Sequence, residues 1–300
     1  MRNILAGAAL LLGCALPVQA QEIAFTFDDL PAHSILPPGE SRLDVANSLI
    51  GTWRAEKMPP VYGFVNGIRI EQEPQSAAVL PAWRAAGFPL GNHTWSHMNL
   101  NQNSAADFDA DVARNEDLLK SQMQGADWRW LRFPYLAEGD TPEKTQAVRA
   151  FLGARGYKIA GVTMSFGDYL WNEPYARCSA KNDTTAIAGM EKSYLQAAAE
   201  AIPYYRGMSR ALYKRDIPYV LLMHIGAFDA RMLPRLLALY RSQGFTFVTL
   251  PEAEKDVFYR NDLNLALSAA PDTLEAAMMQ RHLPLPVRRS YETELNALCR

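Results

Sequence analysis

"EIAFTFDDLP", residues 22–31, is an apolar run that stops on two adjacent acids and a proline. Six residues of this kind bounded by a turn signal read as a buried strand. Neighbouring carboxylates repel unless a cation or a proton lies between them. By itself such a pair reads better as a solvated turn with an aspartate capping the next helix. Here Asp28 and Asp29 close an apolar strand and Pro31 fixes the loop after them, which favours a site.

Outward from this stretch the same unit recurs. "VYGFVN" (61–66), "FPLGN" (88–92), "WRWLRF" (128–133), "GYKIAGV" (156–162), "IPYVLLMH" (217–224) and "FTFVTL" (245–250) read as further strands. Residues 41–57, 74–87, 104–123, 141–156, 193–215 and 229–244 carry helical patterns, several ending at a glycine: Gly87, Gly156 and Gly244. Strand–helix alternation repeated about seven times fits one α/β domain, a distorted parallel (β/α)7 barrel, better than two domains. In such barrels the chemistry sits where strands end, so each functional group should fall at the carboxyl end of a strand.

With 49% hydrophobic and 21% charged residues, disorder is not expected. A net charge of −2 gives no basic field for nucleic acid or anionic lipid. "MRNILAGAALLLGCALPVQA" (1–20) has the form of a signal peptide, which implies export to the periplasm or outside and an oxidising compartment. A less favoured reading makes Cys14 a lipid-anchored cysteine. No later run is long and apolar enough for a transmembrane helix. Cys178 and Cys299 remain, equally compatible with one disulfide or two free thiols. Residues 251–300 read as a polar, helix-prone tail after a domain spanning 21–250.

Four more stretches carry chemistry. "HTWSH" places His93 and His97 on a loop after a short strand; neutral imidazoles with a carboxylate are what zinc and similar ions prefer. "RFPY" delivers Arg132 and Tyr135, and an arginine orients a nearby carboxylate. "FGDYLW" supplies Asp168, Tyr169 and Trp171, a mixture found both in sugar-binding grooves and in plain loops. "LLMH" ends a strand on His224, placed to exchange protons in a cleft. Taken singly, each is also compatible with a structural role.

With "TFDD", "HTWSH", "RFPY", "FGDYLW" and "LLMH" in this order, the chain resembles the polysaccharide deacetylases of carbohydrate esterase family 4, the NodB-homology group, over roughly residues 22–250. The resemblance implies a metal-dependent hydrolase removing acetyl groups from an acetylated glycan. It implies Asp29, His93 and His97 as ligands of a divalent metal, zinc foremost, with cobalt, nickel or manganese also compatible. Asp28 would be the catalytic base, Arg132 would orient and tune it, and the Tyr135 backbone N–H would help stabilise an oxyanion. Asp168 would orient His224, the general acid. Leu222 would line the acetyl pocket, and Tyr169 and Trp171 the substrate groove. Two departures stand out: Leu30-Pro31 is followed by "AHS", which brings His33 towards the cleft, and Tyr169 stands where the family usually has tryptophan. Alternatives are a small non-glycan amide as substrate, or a carbohydrate-binding protein without catalysis. Neither the glycan nor the oligomeric state can be read from these residues.

Overall fold

The computed structural model describes residues 21–271 and 273–300. The expected signal segment 1–20, with Cys14, lies outside them. Seven strands form: β1 (Gln21–Leu30), β2 (Tyr62–Val65), β3 (Leu90–Asn92), β4 (Trp130–Leu131), β5 (Lys158–Ile159), β6 (Tyr219–His224) and β7 (Phe245–Phe247). Each coincides with one of the seven runs expected from the sequence, and every pairing is parallel.

The strands run β5-β4-β3-β2-β1-β6, and a single bridge between Met164 and Leu221 links the segment after β5 back to β6. β7 stands outside this order, pairing residues 245–247 with the start of β1. The result is a curled parallel sheet clothed in helices, the incomplete barrel expected from the alternation. Its strands are short, so most of the ring is held by the long β1 and β6.

Both faces of β1 are buried, as a strand inside a helix-covered parallel sheet requires. Ile23, Phe25 and Phe27 join the large core under the helices, whereas Ala24 joins Phe64, Trp130, Val220 and Tyr259 inside the barrel. Period-two alternation therefore turns Thr26 and Asp28 inward as well. The helix Arg42–Ala55 starts at a capping box between Ser41 and Asp44 and buries Val45, Leu49 and Trp53 against this layer. Gly87, Gly156 and Gly244 have φ of +86°, +74° and +79°, the left-handed conformation that ends a helix without a Cβ penalty.

Two differences from the expected outline bear on the site and its surroundings. An additional helix, Asn172–Ala180, follows the "FGDYLW" stretch, and the next helix begins at Thr184 rather than 193, capped by Asp183 accepting from the Ala186 N–H. Residues after 250 pack onto the barrel. Leu250, Ala253 and Tyr259 enter its inner cluster, with the Tyr259 hydroxyl 2.7 Å from the Pro218 carbonyl. Cys299 is disulfide-bonded to Cys178 across 121 residues, which resolves the two alternatives for these cysteines. Among the described residues no helix is long and apolar enough to cross a membrane.

Candidate metal centre and active site

Asp28 and Asp29 end the inner run of β1, His93 follows β3, Arg132 follows β4 and His224 is the last residue of β6. All the strands are parallel, so these groups gather at one mouth. Asp168 is the exception: it lies nine residues beyond β5 and is brought in by the Met164–Leu221 bridge.

Asp29 Oδ1 lies 3.5 Å from His93 Nε2 and 3.4 Å from His97 Nε2. It is buried without a hydrogen-bond partner, a costly condition unless a ligand completes it. The three side chains form a compact cluster of potential metal ligands, with their ligand atoms all within 4.8 Å of one another. A tetrahedral zinc with bonds of about 2.0–2.1 Å sets its ligand atoms about 3.3 Å apart; the donor set fits such an ion, and so do the separations of Asp29 Oδ1 from the two imidazoles, 3.5 and 3.4 Å.

The histidines are prepared for this. His93 Nδ1 donates to the Arg132 carbonyl at 2.7 Å. A carbonyl only accepts, so Nδ1 carries the hydrogen and Nε2 presents its lone pair. Burial, reinforced by the neighbouring His93, pushes His97 down to about 3 and keeps it neutral. Asp29, Thr94, His97 and Tyr135 all hold positive φ, between 59° and 67°. Such backbone persists where the surroundings over-determine it.

Those surroundings include residues the sequence did not single out. Asn92 Oδ1 accepts from the Thr94 N–H at 2.9 Å and from Asn115 Nδ2 at 3.0 Å. Asn66 Nδ2 donates to the Thr94 carbonyl, and Asp111 Oδ2 accepts from the backbone and hydroxyl of Ser96. The histidine loop is thus pinned on both sides of its strained residues. Asn66 and Asn92, the polar residues that close two of the apolar strand runs, were the available signal. Thr94 is fully buried, and its hydroxyl accepts from the Met98 N–H, so it shapes the loop.

Asp28 is buried and receives Arg132 Nη1 at 3.2 Å on both oxygens. Arg132 is itself fixed, Nε donating to the Ala160 carbonyl at 2.8 Å and Nη2 to Thr26 Oγ1 at 3.1 Å. Asp28 Oδ2 stands 3.8 Å from His93 Nε2, beside the ligand cluster without belonging to it. Across the mouth, Asp168 accepts from His224 Nδ1 at 3.1 Å and from its backbone N–H at 2.7 Å. Burial disfavours charge on His224, but Asp168, then Asp29 and Asp28, outweigh it and lift the imidazole to about 10. Behind them, Asp229 is buried between Tyr194 and Asn172; burial and then the charge of Asp168 push its carboxyl well above the usual carboxylate range.

Leu222 lies on the same inner face as His224, two residues back, and is 8% exposed. Tyr135 and Tyr169 are 67% and 48% exposed; the Tyr135 ring meets His97 edge-on at 4.6 Å and the Tyr169 ring meets His224 at 5.3 Å. Trp171 corrects the sequence reading, because it is fully buried, donates its indole N–H to Ser193 Oγ, and packs against Tyr194 and Tyr291. In the 3₁₀ turn Asp168–Trp171, residues three apart eclipse, so Trp171 turns inward with Asp168 while Tyr169 turns out. It is a core residue and cannot line a groove.

A parallel α/β barrel with an Asp-His-His cluster and flanking carboxylate and histidine at its mouth defines the class. The family model described as polysaccharide deacetylase matches residues 16–157. A chitin deacetylase from Arthroderma benhamiae is 30% identical over 127 residues, 42% of this chain and 30% of that protein, so the matched stretch spans under a third of the curated relative's length. The chitin deacetylase structure from Colletotrichum lindemuthianum superposes with a TM-score of 0.53 at 21% identity, covering 79% of this chain and 88% of its own. A carbohydrate esterase domain of a xylanase from the hindgut metagenome of Trinervitermes trinervoides gives 0.51 at 17%, covering 79% and 90%. A pseudoenzyme of carbohydrate esterase family 4 from Bacillus anthracis gives 0.53 at 13%, covering 78% and 66%. Residues 16–157, a little under half of the chain, therefore match the polysaccharide deacetylase family, and the fold is the one these deacetylase structures share.

Proposed function

We propose that this chain is an exported, metal-dependent deacetylase that hydrolyses acetyl groups, N-acetyl foremost, on a cell-envelope or extracellular glycan. A pseudoenzyme shares the fold, so the fold alone does not carry this reading. The observation that carries it is one mouth holding both a ligand cluster, Asp29, His93 and His97, in which Asp29 Oδ1 has no hydrogen-bond partner, and two separately supported titratable groups, Asp28 and His224. A module that only bound sugar would need neither of the latter.

Asp29, His93 and His97 would hold the ion, zinc in the first instance. A divalent cation in such a site lowers the pKa of bound water to about 7 and polarises a carbonyl. Asp28, oriented by Arg132, takes a proton from the attacking water. The Tyr135 backbone N–H donates to the oxygen on which charge develops; one well-placed donor of this kind is worth about 3–4 kcal/mol. His224, its Nδ1 held by Asp168, gives a proton through Nε2 to the departing amine, which leaves poorly as an anion. Leu222 bounds the space for the acetyl methyl, and the exposed rings of Tyr135 and Tyr169 offer apolar faces to sugar rings. The test is acetate release by the purified protein from a panel of acetylated glycans, before and after chelation and with zinc restored. Release that chelation stops and zinc returns supports the proposal; none from any glycan by zinc-loaded protein sinks it.

A further inference from the structure

His33 belongs to none of the five motifs, yet its ring stands between the ligand cluster and His224. Its Nδ1 lies 2.8 Å from Asp29 Oδ2, and its ring centroid is 4.8 Å from that of His224. The carboxylate of Asp29 is thereby divided. Oδ2 is taken by His33, while Oδ1 is left facing His93 and His97 without a hydrogen bond. Because a carboxylate oxygen accepts, Nδ1 carries the hydrogen.

The loop bearing His33 is built to hold this position. Arg42, on the helix Arg42–Ala55, donates Nη1 to the His33 carbonyl at 2.8 Å and Nη2 to the Ser34 carbonyl at 2.6 Å. Its Nε donates to Glu73 Oε2 at 3.0 Å, which fixes the guanidinium in turn. The Ala32 N–H closes the turn on the Asp29 carbonyl at 2.9 Å. A rigid guanidinium with two donors on successive carbonyls and its third on Glu73 is a specific restraint on a short loop. From Glu73 through Arg42 to the His33 ring, the restraints end on one oxygen of Asp29.

We propose that His33 is a positioning residue: it holds Asp29 Oδ2 so that Oδ1 is presented, with His93 and His97, to a divalent cation. The proposal rests on the metal-site reading above. Partners of this kind fix a ligand's orientation, and their loss typically costs tenfold to a hundredfold in metal affinity. The ring also packs against His224, so one side chain braces both halves of the site.

The experiment measures zinc affinity of metal-free protein by competition with a chromogenic chelator at fixed pH, with circular dichroism and melting of the metal-free protein as folding controls. His33→Ala and His33→Leu are expected to bind zinc tenfold to hundredfold more weakly. His33→Asn keeps an N–H donor near Nδ1 and is expected to return to within a few fold of the parent. Arg42→Met should weaken binding in the same direction by less, because it frees the loop without removing the donor. Folded His33→Ala with parental affinity overturns the proposal. Should His33→Ala not fold, equal affinities for the Asn and Leu variants overturn it. A parent protein that takes up no zinc would overturn both the metal reading and this proposal, whereas a zinc-binding parent with indifferent variants overturns the role of His33 alone.

Discussion

Asp28 and His224 are register partners across the parallel β1–β6 ladder. Adjacent strands lie about 4.8 Å apart, and partnered residues in a parallel pair point to the same face, so the two groups stand side by side on the inner wall. Each is held by a different neighbour, Asp28 by Arg132 and His224 by Asp168. In the proposed reaction, this separation of supports would let one group take a proton while the other delivers one.

Replacing Asp28 tests the base. Asp28→Asn preserves shape but cannot accept the proton, and acetate release is expected to fall by about 10²–10⁴-fold with zinc content unchanged. Retained zinc with near-parental turnover would remove Asp28 from the reaction.

Ligand removal should act on stability as well as rate. Chelation should abolish activity and lower the melting temperature, because an ion bound only by the folded state stabilises it by about 2.7 kcal/mol at a hundredfold excess over Kd. His97→Ala should make the melting temperature insensitive to added zinc. A zinc-dependent shift in that variant would place the ion elsewhere.

The alkaline side of the rate profile should report on His224. Its folded pKa, about 10, exceeds the ordinary 6.5 because Asp168 outweighs burial. Folding therefore favours the protonated ring; this stabilisation is complete below 6.5 and is lost as pH rises through 10. The acid form is then available at neutral pH, and kcat should decline on the alkaline side. A cation at Asp29 repels the imidazolium and moves that limb down. Asp168→Asn should lower it further towards 6.5, followed by the pH profile and by proton resonance of the ring; an unmoved limb would refute the pairing's role.

Neighbouring aromatics should separate cleanly. Tyr169→Ala, at an exposed ring, should leave stability within about 0.5 kcal/mol and raise KM for an oligosaccharide. Trp171→Ala, at a fully buried ring, should cost about 3–5 kcal/mol of stability, measured by denaturant unfolding. The reverse pattern would restore Trp171 to the groove.

The disulfide closes a loop whose cysteines are 121 residues apart. Replacing both cysteines with serine should lower stability by about 2–5 kcal/mol, with little change in zinc affinity. Equal stability of the reduced and oxidised protein would argue against a structural role.

Much of the fold was legible because burial leaves a periodic trace. β1 reads as an apolar run, and residues 41–57 carry the helical pattern that becomes the helix Arg42–Ala55. The helix Asn172–Ala180 escaped because its buried face, Asn172, Pro174, Tyr175, Ala176 and Cys178, offers one large apolar side chain among polar and small ones, so its helical spacing carries little hydrophobic signal. Trp171 was misread since an aromatic beside an acid has the same composition in a groove as in a core. Asp229 and Asn115 left no mark, their partners lying 35 residues away or held through the histidine loop.

By itself the sequence determined the seven strands, the helices between most of them and the strand-end placement of Asp28, Asp29, His93, Arg132 and His224, because hydrophobic period and turn chemistry are local. Only the tertiary structure decided that Asp29 Oδ1 meets both imidazoles, that His33 holds the other oxygen, that Trp171 faces inward and that Cys178 joins Cys299. Those relations depend on how the sheet curls and which loops cross its mouth. Curvature is a sum of small twists over all strands, and no single stretch of residues encodes it.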